Sequence, residues 1–207
     1  MKYENANVNI VCMLQWFGPF KDREQCRNWI LDKDKAGASL KEFNFYLICG
    51  KEPQSGVKKE SFYCGITRQK QVFKRFEDPE HPSNNLHVSE IWIARFSEER
   101  LRRLTPEGKI KTKINKIIEE VEHGLINYLS QLEELGMIYF RIKNDKKTKS
   151  QPKDSMCIIN QWYDIHRNNK INQTSRAQKW LSDVIYYDKY EGTGMWKNVQ
   201  RLKLLKR

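Results

Sequence analysis

The chain has no long hydrophobic run. Its longest apolar stretches, residues 10–14 and 45–49, are five residues each, far short of the ~18 that a membrane-spanning helix requires. Its first ten residues, MKYENANVNI, lack the basic, apolar and small-residue layout of a signal peptide. Both absences predict a soluble, cytoplasmic protein. Cysteine is sparse and scattered: Cys12, Cys26, Cys49, Cys64 and Cys157 form no CxxC or CxxH pair. An odd count, partly within apolar runs, predicts small buried thiols in a reducing compartment rather than a disulfide framework. The histidines, His81, His87, His123 and His166, share no zinc-type spacing, which argues against a structural zinc site. There is no internal repeat.

What is present is a strong basic excess. The 207 residues include 38 Lys and Arg against 26 Asp and Glu, a net charge of +12. Residues 1–135 are nearly balanced, with 22 basic and 20 acidic side chains. Residues 136–207 hold 16 basic and 6 acidic ones. So uneven a distribution predicts a polyanionic partner. Trp162, Tyr163, Trp180, Tyr186, Tyr187, Tyr190 and Trp196 are interleaved with the basic residues, which suits nucleic acid better than a membrane. At 39% hydrophobic and 12% aromatic, the chain is too rich in core formers for wholesale disorder.

Period and punctuation predict the elements. Residues 8–16 read as a strand that Gly18-Pro19 breaks, followed by a short helix capped by Asp22 and running to about residue 31. Residues 43–49 alternate and read as a strand. A polar loop separates them from a second strand, 61–66, and the two should pair as a hairpin. Thr67 can cap a helix with Val72, Phe73 and Phe76 on its apolar side. Residues 88–96 read as a third strand, and Ser97 starts a short helix. The clearest element is a long amphipathic helix over 110–135, with Ile114, Ile117, Ile118, Val121, Leu125, Leu129 and Leu132 at helical spacing. Residues 137–142 read as a further strand, 143–154 as a linker, 157–163 as an apolar stretch and 175–187 as a helix.

On this layout fall Tyr46 in FNFYLICG, Tyr63 and Gly65 in FYCGIT, Arg75 on the following helix, and Glu122 in EHGLI on the long helix. This arrangement resembles the GIY-YIG nuclease family across about residues 43–135. The first motif appears as Asn44-Phe45-Tyr46, keeping only the tyrosine. The second appears as Tyr63-Cys64-Gly65, with Thr67 two residues on. Arg75 is similar to the family's helix arginine, with Arg68 as a rival, and Glu122 to its metal-binding glutamate. For the family's final asparagine, Asn160 is chosen over Asn144 and Asn172. The resemblance implies an α/β (α+β) fold in which a small three-stranded antiparallel sheet is flanked by helices. Residues 41–142 would form that core. Residues 1–40 would be an N-terminal strand-helix addition, and 143–207 a basic, aromatic-rich addition contacting DNA.

The residues make a physical case of their own. At about 100° per residue, Glu122 falls beside the Ile118–Leu125 stripe, whereas Glu119 and Glu120 point further away. A carboxylate there can hold Mg²⁺ or Mn²⁺ together with water and substrate phosphate. Tyr46 and Ile48 share the strand face opposite Phe45 and Leu47, so pairing can bring Tyr46 and Tyr63 together. A phenol can orient or deprotonate water if nearby cations lower its pKa or stabilise the phenolate, and Arg75 and the metal are the sources of that charge. His81 or His87, in the loop before the third strand, is a candidate proton carrier. Arg176 and Lys179, one turn apart on the expected C-terminal helix, are candidate phosphate contacts, with Arg68 and Lys74 beside the core. The expected activity is metal-dependent endonucleolytic hydrolysis of DNA, as in a type II restriction endonuclease. A homing or phage-type endonuclease, and a non-catalytic nucleic-acid-binding protein on a decayed nuclease scaffold, are the alternatives. Cutting both strands of a palindrome would favour a homodimer.

Overall fold

A strand buried on both faces reads as a near-continuous apolar run, and Phe43–Lys51 is buried at nearly every position. The computed structural model describes residues 10–35, 43–53, 60–67, 72–96, 114–134, 140–144, 151–166, 176–189 and 196–199. The strands are β1 (Ile10–Phe20), β2 (Phe43–Lys51), β3 (Glu60–Ile66), β4 (His87–Phe96), β5 (Phe140–Ile142), β6 (Met156–Asp164), β7 (Val184–Tyr187) and β8 (Trp196–Val199). The helices are α1 (Arg23–Lys35), α2 (Val72–Phe76), α3 (Ile114–Glu134) and α4 (Arg176–Trp180), and a 3₁₀ turn, Pro82–Asn85, leads into β4. Asp22 does cap α1: its Oδ1 accepts from the Gln25 N–H at 2.7 Å.

The eight strands among the described residues join one mixed sheet in the order β5-β3-β2-β4-β1-β6-β7-β8. This overturns the expected small three-stranded sheet with terminal additions. The strands β3, β2 and β4 do pair antiparallel, but they are one part of a larger sheet. Strand β1 lies inside that sheet, antiparallel to β4 and parallel to β6. The reason is burial. Cys12, Leu14 and Trp16 on β1 and Met156, Ile158 and Trp162 on β6 all enter the main core, and strands with such faces cannot remain as appendages. Nor does Gly18-Pro19 end β1, which continues to Phe20 through a cis peptide bond. The expected helix over 175–187 is also corrected. α4 stops at Trp180, and Val184–Tyr187 pairs with β6 as β7. Its β-branched and aromatic residues suit that pairing better than a helix.

The sheet separates two apolar layers. On one side Phe45, Leu47, Phe62, Cys64 and Trp92 pack with Ile117, Ile118, Val121, Leu125 and Leu129 of α3. On the other, Tyr46, Ile48, Tyr63, Ile91 and Ile93 pack with Cys26 and Ile30 of α1 and Val72 and Phe76 of α2. Successive strand residues face opposite ways, so Tyr46 and Tyr63 fall on the α1/α2 side. Among the C-terminal aromatics, Trp162 stacks on Trp16 with centroids 5.5 Å apart, and Tyr187 is buried. These rings are core rather than open stacking platforms. Cys12, Cys26, Cys49 and Cys64 are buried free thiols, and Cys157 is half-buried. No described helix is long and apolar enough to cross a membrane.

Candidate active site

The β2–β3 register sets Tyr46 opposite Gly65 and Ile48 opposite Tyr63. The two tyrosines are therefore diagonal neighbours on one face, close enough for aromatic contact, and their ring centroids are 6.0 Å apart. Gly65 makes room for this. A Cβ at that position would lie 2.5 Å from both Cζ and Oη of Tyr46. The glycine of FYCGIT thus leaves the space that the phenol fills. Gly65→Ala is expected to push the hydroxyl away and to cost about 1–3 kcal/mol of stability, as overpacking does. Denaturant unfolding and a structure of the variant check both effects.

The loop after α2 brings a third ring. Phe76 packs edge-on to Tyr46 with centroids 5.2 Å apart. The chain then turns at Asp78, whose carbonyl accepts from the His81 N–H at 3.0 Å. His81 caps the 3₁₀ turn. Its Nδ1 accepts from the Ser83 backbone N–H at 3.2 Å and lies 2.7 Å from Ser83 Oγ. Its Nε2 is 2.9 Å from Tyr46 Oη, and its ring centroid is 5.0 Å from that of Tyr63. A backbone N–H can only donate, so Nδ1 carries a lone pair. The single proton of the neutral ring is therefore assigned to Nε2, pointing at the Tyr46 oxygen.

His81 is 2% exposed. Burial, and then the positive charges of Arg75 and Arg23, hold its pKa down at about 4, with Asp78 opposing them. In the unfolded chain it titrates near about 6.5. Below that value the unfolded state binds the proton that the folded state refuses. Stability should then fall as pH drops from 6.5 and level off near 4, by up to about 3 kcal/mol. Denaturant midpoints across this range, compared with those of His81→Gln, check it: the variant should lose less.

The phenols behave differently from the sequence-based expectation. Burial raises Tyr46 well above the usual phenol range, Tyr63 adds to this, and Arg75 only partly opposes it. Tyr63 is raised as well, first by burial, while its hydrogen bond with Tyr46 and the charge of Arg75 act downward and Glu122 acts upward. At neutral pH both are intact phenols. Desolvation outweighs the neighbouring cation, so neither stands ready as a phenolate.

Arg75, on α2, donates to Asp78 Oδ2 at 2.8 Å. Burial lowers its pKa, but Tyr46, Tyr63 and Asp78 together raise it. Glu122 lies half-buried on α3, the helix that covers the sheet face opposite Tyr46 and Tyr63, and its link to the tyrosines is the effect of its charge on Tyr63 and on Cys64 of β3. Its neighbour Glu120 corrects the helical-wheel reading. It is the more buried carboxylate, at 7% exposure, and its Oε2 accepts from the Lys153 N–H at 3.2 Å.

Asn160 does not join the site. It lies on β6, and β1 and β4 stand between its strand and β2. Its amide is taken up there: Oδ1 accepts from Trp16 Nε1 at 2.9 Å and Nδ2 donates to Ser182 O at 2.8 Å. The asparagine beside the tyrosines is Asn144. Its Nδ2 donates to Cys64 O at 2.6 Å and its Oδ1 accepts from Cys64 N at 3.1 Å. This two-point clamp holds the backbone next to Tyr63. The parallel pairing of β5 with β3 delivers it, and a strand directly after the long helix was the signal for it. His87 is exposed at the start of β4, and Lys74 is exposed on α2. Arg176 and Lys179 lie on α4, with side chains outside the described residues, as are Arg68, Asn172 and the expected short helix at Ser97.

A divalent cation fits only sparsely. No group of three or more His, Cys, Asp or Glu side chains gathers among the described residues. A single carboxylate such as Glu122 does suit Mg²⁺, which keeps most of its waters and takes substrate phosphate as a ligand. No protein-family model matches the chain, and no curated protein or solved structure matches it either.

Proposed function

We propose that this protein is a metal-dependent endonuclease of the GIY-YIG type that hydrolyses DNA phosphodiester bonds, with restriction of foreign DNA as its first candidate role. One observation carries the reading: Tyr46, Tyr63 and His81 form one cluster of contacting rings, with Arg75 acting on both phenols. Four residues suited to phosphoryl chemistry converge there from β2, β3, α2 and the turn before β4.

The roles follow from the protonation states. Tyr63, the more exposed phenol at 9% against 1% for Tyr46, orients the attacking water. The Tyr46–Tyr63 pair takes up the proton that the water loses as it gives one of its own to solvent, so both remain neutral phenols overall, and the charge that develops on the pair while the proton moves is offset by the His81 Nε2–H and by Arg75. Arg75 also offsets charge on the phosphoryl oxygens as the transition state forms. Asn144 keeps β3 in register behind Tyr63. A divalent cation held by Glu122 would supply Lewis-acid stabilisation of the leaving oxygen.

DNA is the partner that the basic excess of residues 136–207 favours. If about five phosphates are neutralised, log K should fall with log[salt] at a slope of about −4 to −5. Charge reversal at Arg176 and Lys179 should flatten that slope, as measured by fluorescence anisotropy on a short duplex. An unchanged slope would move the binding surface away from α4.

The activity itself is tested by incubating supercoiled plasmid with the protein. Nicked or linear product in Mg²⁺ or Mn²⁺, and none with chelator, is expected. Tight binding without any cleavage would favour the non-catalytic alternative.

A further inference from the structure

Arg23 stands on the first turn of α1, outside every motif residue, yet it reaches the turn that carries His81. Its guanidinium donates to Phe76 O at 3.2 Å, Asn84 Oδ1 at 2.6 Å and Ser83 Oγ at 2.9 Å. It also lies over the Phe76 ring, 5.9 Å from the centroid. The three acceptors span the end of α2 and the 3₁₀ turn, so one side chain ties both ends of the loop on which His81 sits.

The bond to Ser83 has a directional consequence. A guanidinium only donates, so Arg23 occupies a lone pair of Ser83 Oγ. The Ser83 hydroxyl hydrogen is then free to point at His81 Nδ1, 2.7 Å away. The backbone N–H of Ser83 reaches the same nitrogen. Two donors aimed at Nδ1 fix the ring about its χ2 angle and leave Nε2 facing Tyr46 Oη. The ordered sequence is Arg23, Ser83, His81, Tyr46.

We propose that Arg23 is a positioning residue of the site: through Ser83 it locks the His81 imidazole so that Nε2–H meets the Tyr46 oxygen. This rests on the nuclease reading for its effect on rate, but the locked imidazole is measurable without any activity. It also makes α1 a working part of the site rather than an N-terminal attachment. Arg23 does not touch the reacting atoms in this account, so its removal should affect turnover and not substrate binding. A lysine in its place would offer a single ammonium where a fork bridges three acceptors, and should rescue little.

The test combines nitrogen-15 NMR of the histidine side chains with cleavage kinetics on the full-length chain. In the wild type, His81 should show one tautomer, with a protected Nε2–H. In Arg23→Gln, with folding confirmed by circular dichroism, that proton should exchange rapidly. The kcat should fall about 10- to 100-fold with KM nearly unchanged. Arg23→Lys should resemble Arg23→Gln. Ser83→Ala, which deletes only the intermediary hydroxyl, should reproduce the loss, whereas Asn84→Ala, which removes a brace but not the relay, should not. This pair of variants decides the matter if Arg23→Gln does not fold. An unchanged His81 signal in a folded Arg23→Gln protein, or equal effects of Ser83→Ala and Asn84→Ala, would overturn the proposal. Loss of DNA affinity in Arg23→Gln with His81 undisturbed would overturn it too, by making Arg23 a DNA contact. If the wild type cleaves no DNA, the nuclease reading fails while the NMR comparison still decides the role of Arg23.

Discussion

Tyr46→Phe is expected to slow cleavage by about 10²- to 10⁴-fold, the usual worth of a group acting in proton transfer, while DNA affinity changes by less than about twofold. The variant keeps the ring that packs against Phe76 and Tyr63. It removes the one oxygen that His81 Nε2 meets, so the imidazole N–H also loses its partner inside a buried pocket. Stability should drop by about 1–3 kcal/mol, the cost of an unsatisfied buried polar group. Rapid-quench cleavage and equilibrium binding on the same duplex separate the two effects. Equal losses in rate and affinity would make the tyrosine a structural residue.

The second large effect is expected at Glu122→Gln. The substitution preserves shape and removes the charge. Metal-supported cleavage should fall by more than about 10³-fold, since a developing oxyanion loses its main stabilisation. A readout independent of turnover exists, because Glu122 is among the groups that raise Tyr63. Its replacement should let the Tyr63 phenol titrate at lower pH, as followed by ultraviolet absorbance. Undiminished cutting by a folded Glu122→Gln protein would remove Glu122 from the site.

The local part of the site was legible in the sequence because it depends on periods of two. Alternation in FNFYLICG and FYCGIT is enough to set Tyr46 and Tyr63 on one face, and hairpin pairing then brings them together. His81 was legible only as a loop candidate; what fixes it is a turn closed by Asp78 and Ser83. The extent of the sheet was not legible. Residues 10–20 and 156–164 alternate in burial once folded, but the sequence reads the second only as an apolar stretch, and nothing in their spacing says that they pair in parallel with each other. Such long-range parallel pairing is decided by which faces need covering, not by local pattern. The choice of Asn160 as the family-like final asparagine has the same origin: the sequence does not say on which strand of the sheet it falls, and its amide serves Trp16 and Ser182 within the core. Tyr46 was expected near a cation that would ease its ionisation. Arg75 is that cation, and burial outweighs it.

In the proposed reaction the paired tyrosines direct water, and not a side-chain oxygen, at phosphorus. The most direct measurement is the stereochemical course of cleavage at a phosphorothioate of known configuration, with the product read by phosphorus-31 NMR after cutting in oxygen-18 water. A single in-line attack by water predicts inversion. Retention, or a tyrosyl-phosphate adduct trapped on Tyr46 or Tyr63, would mean that a phenol attacks phosphorus itself and would contradict the account.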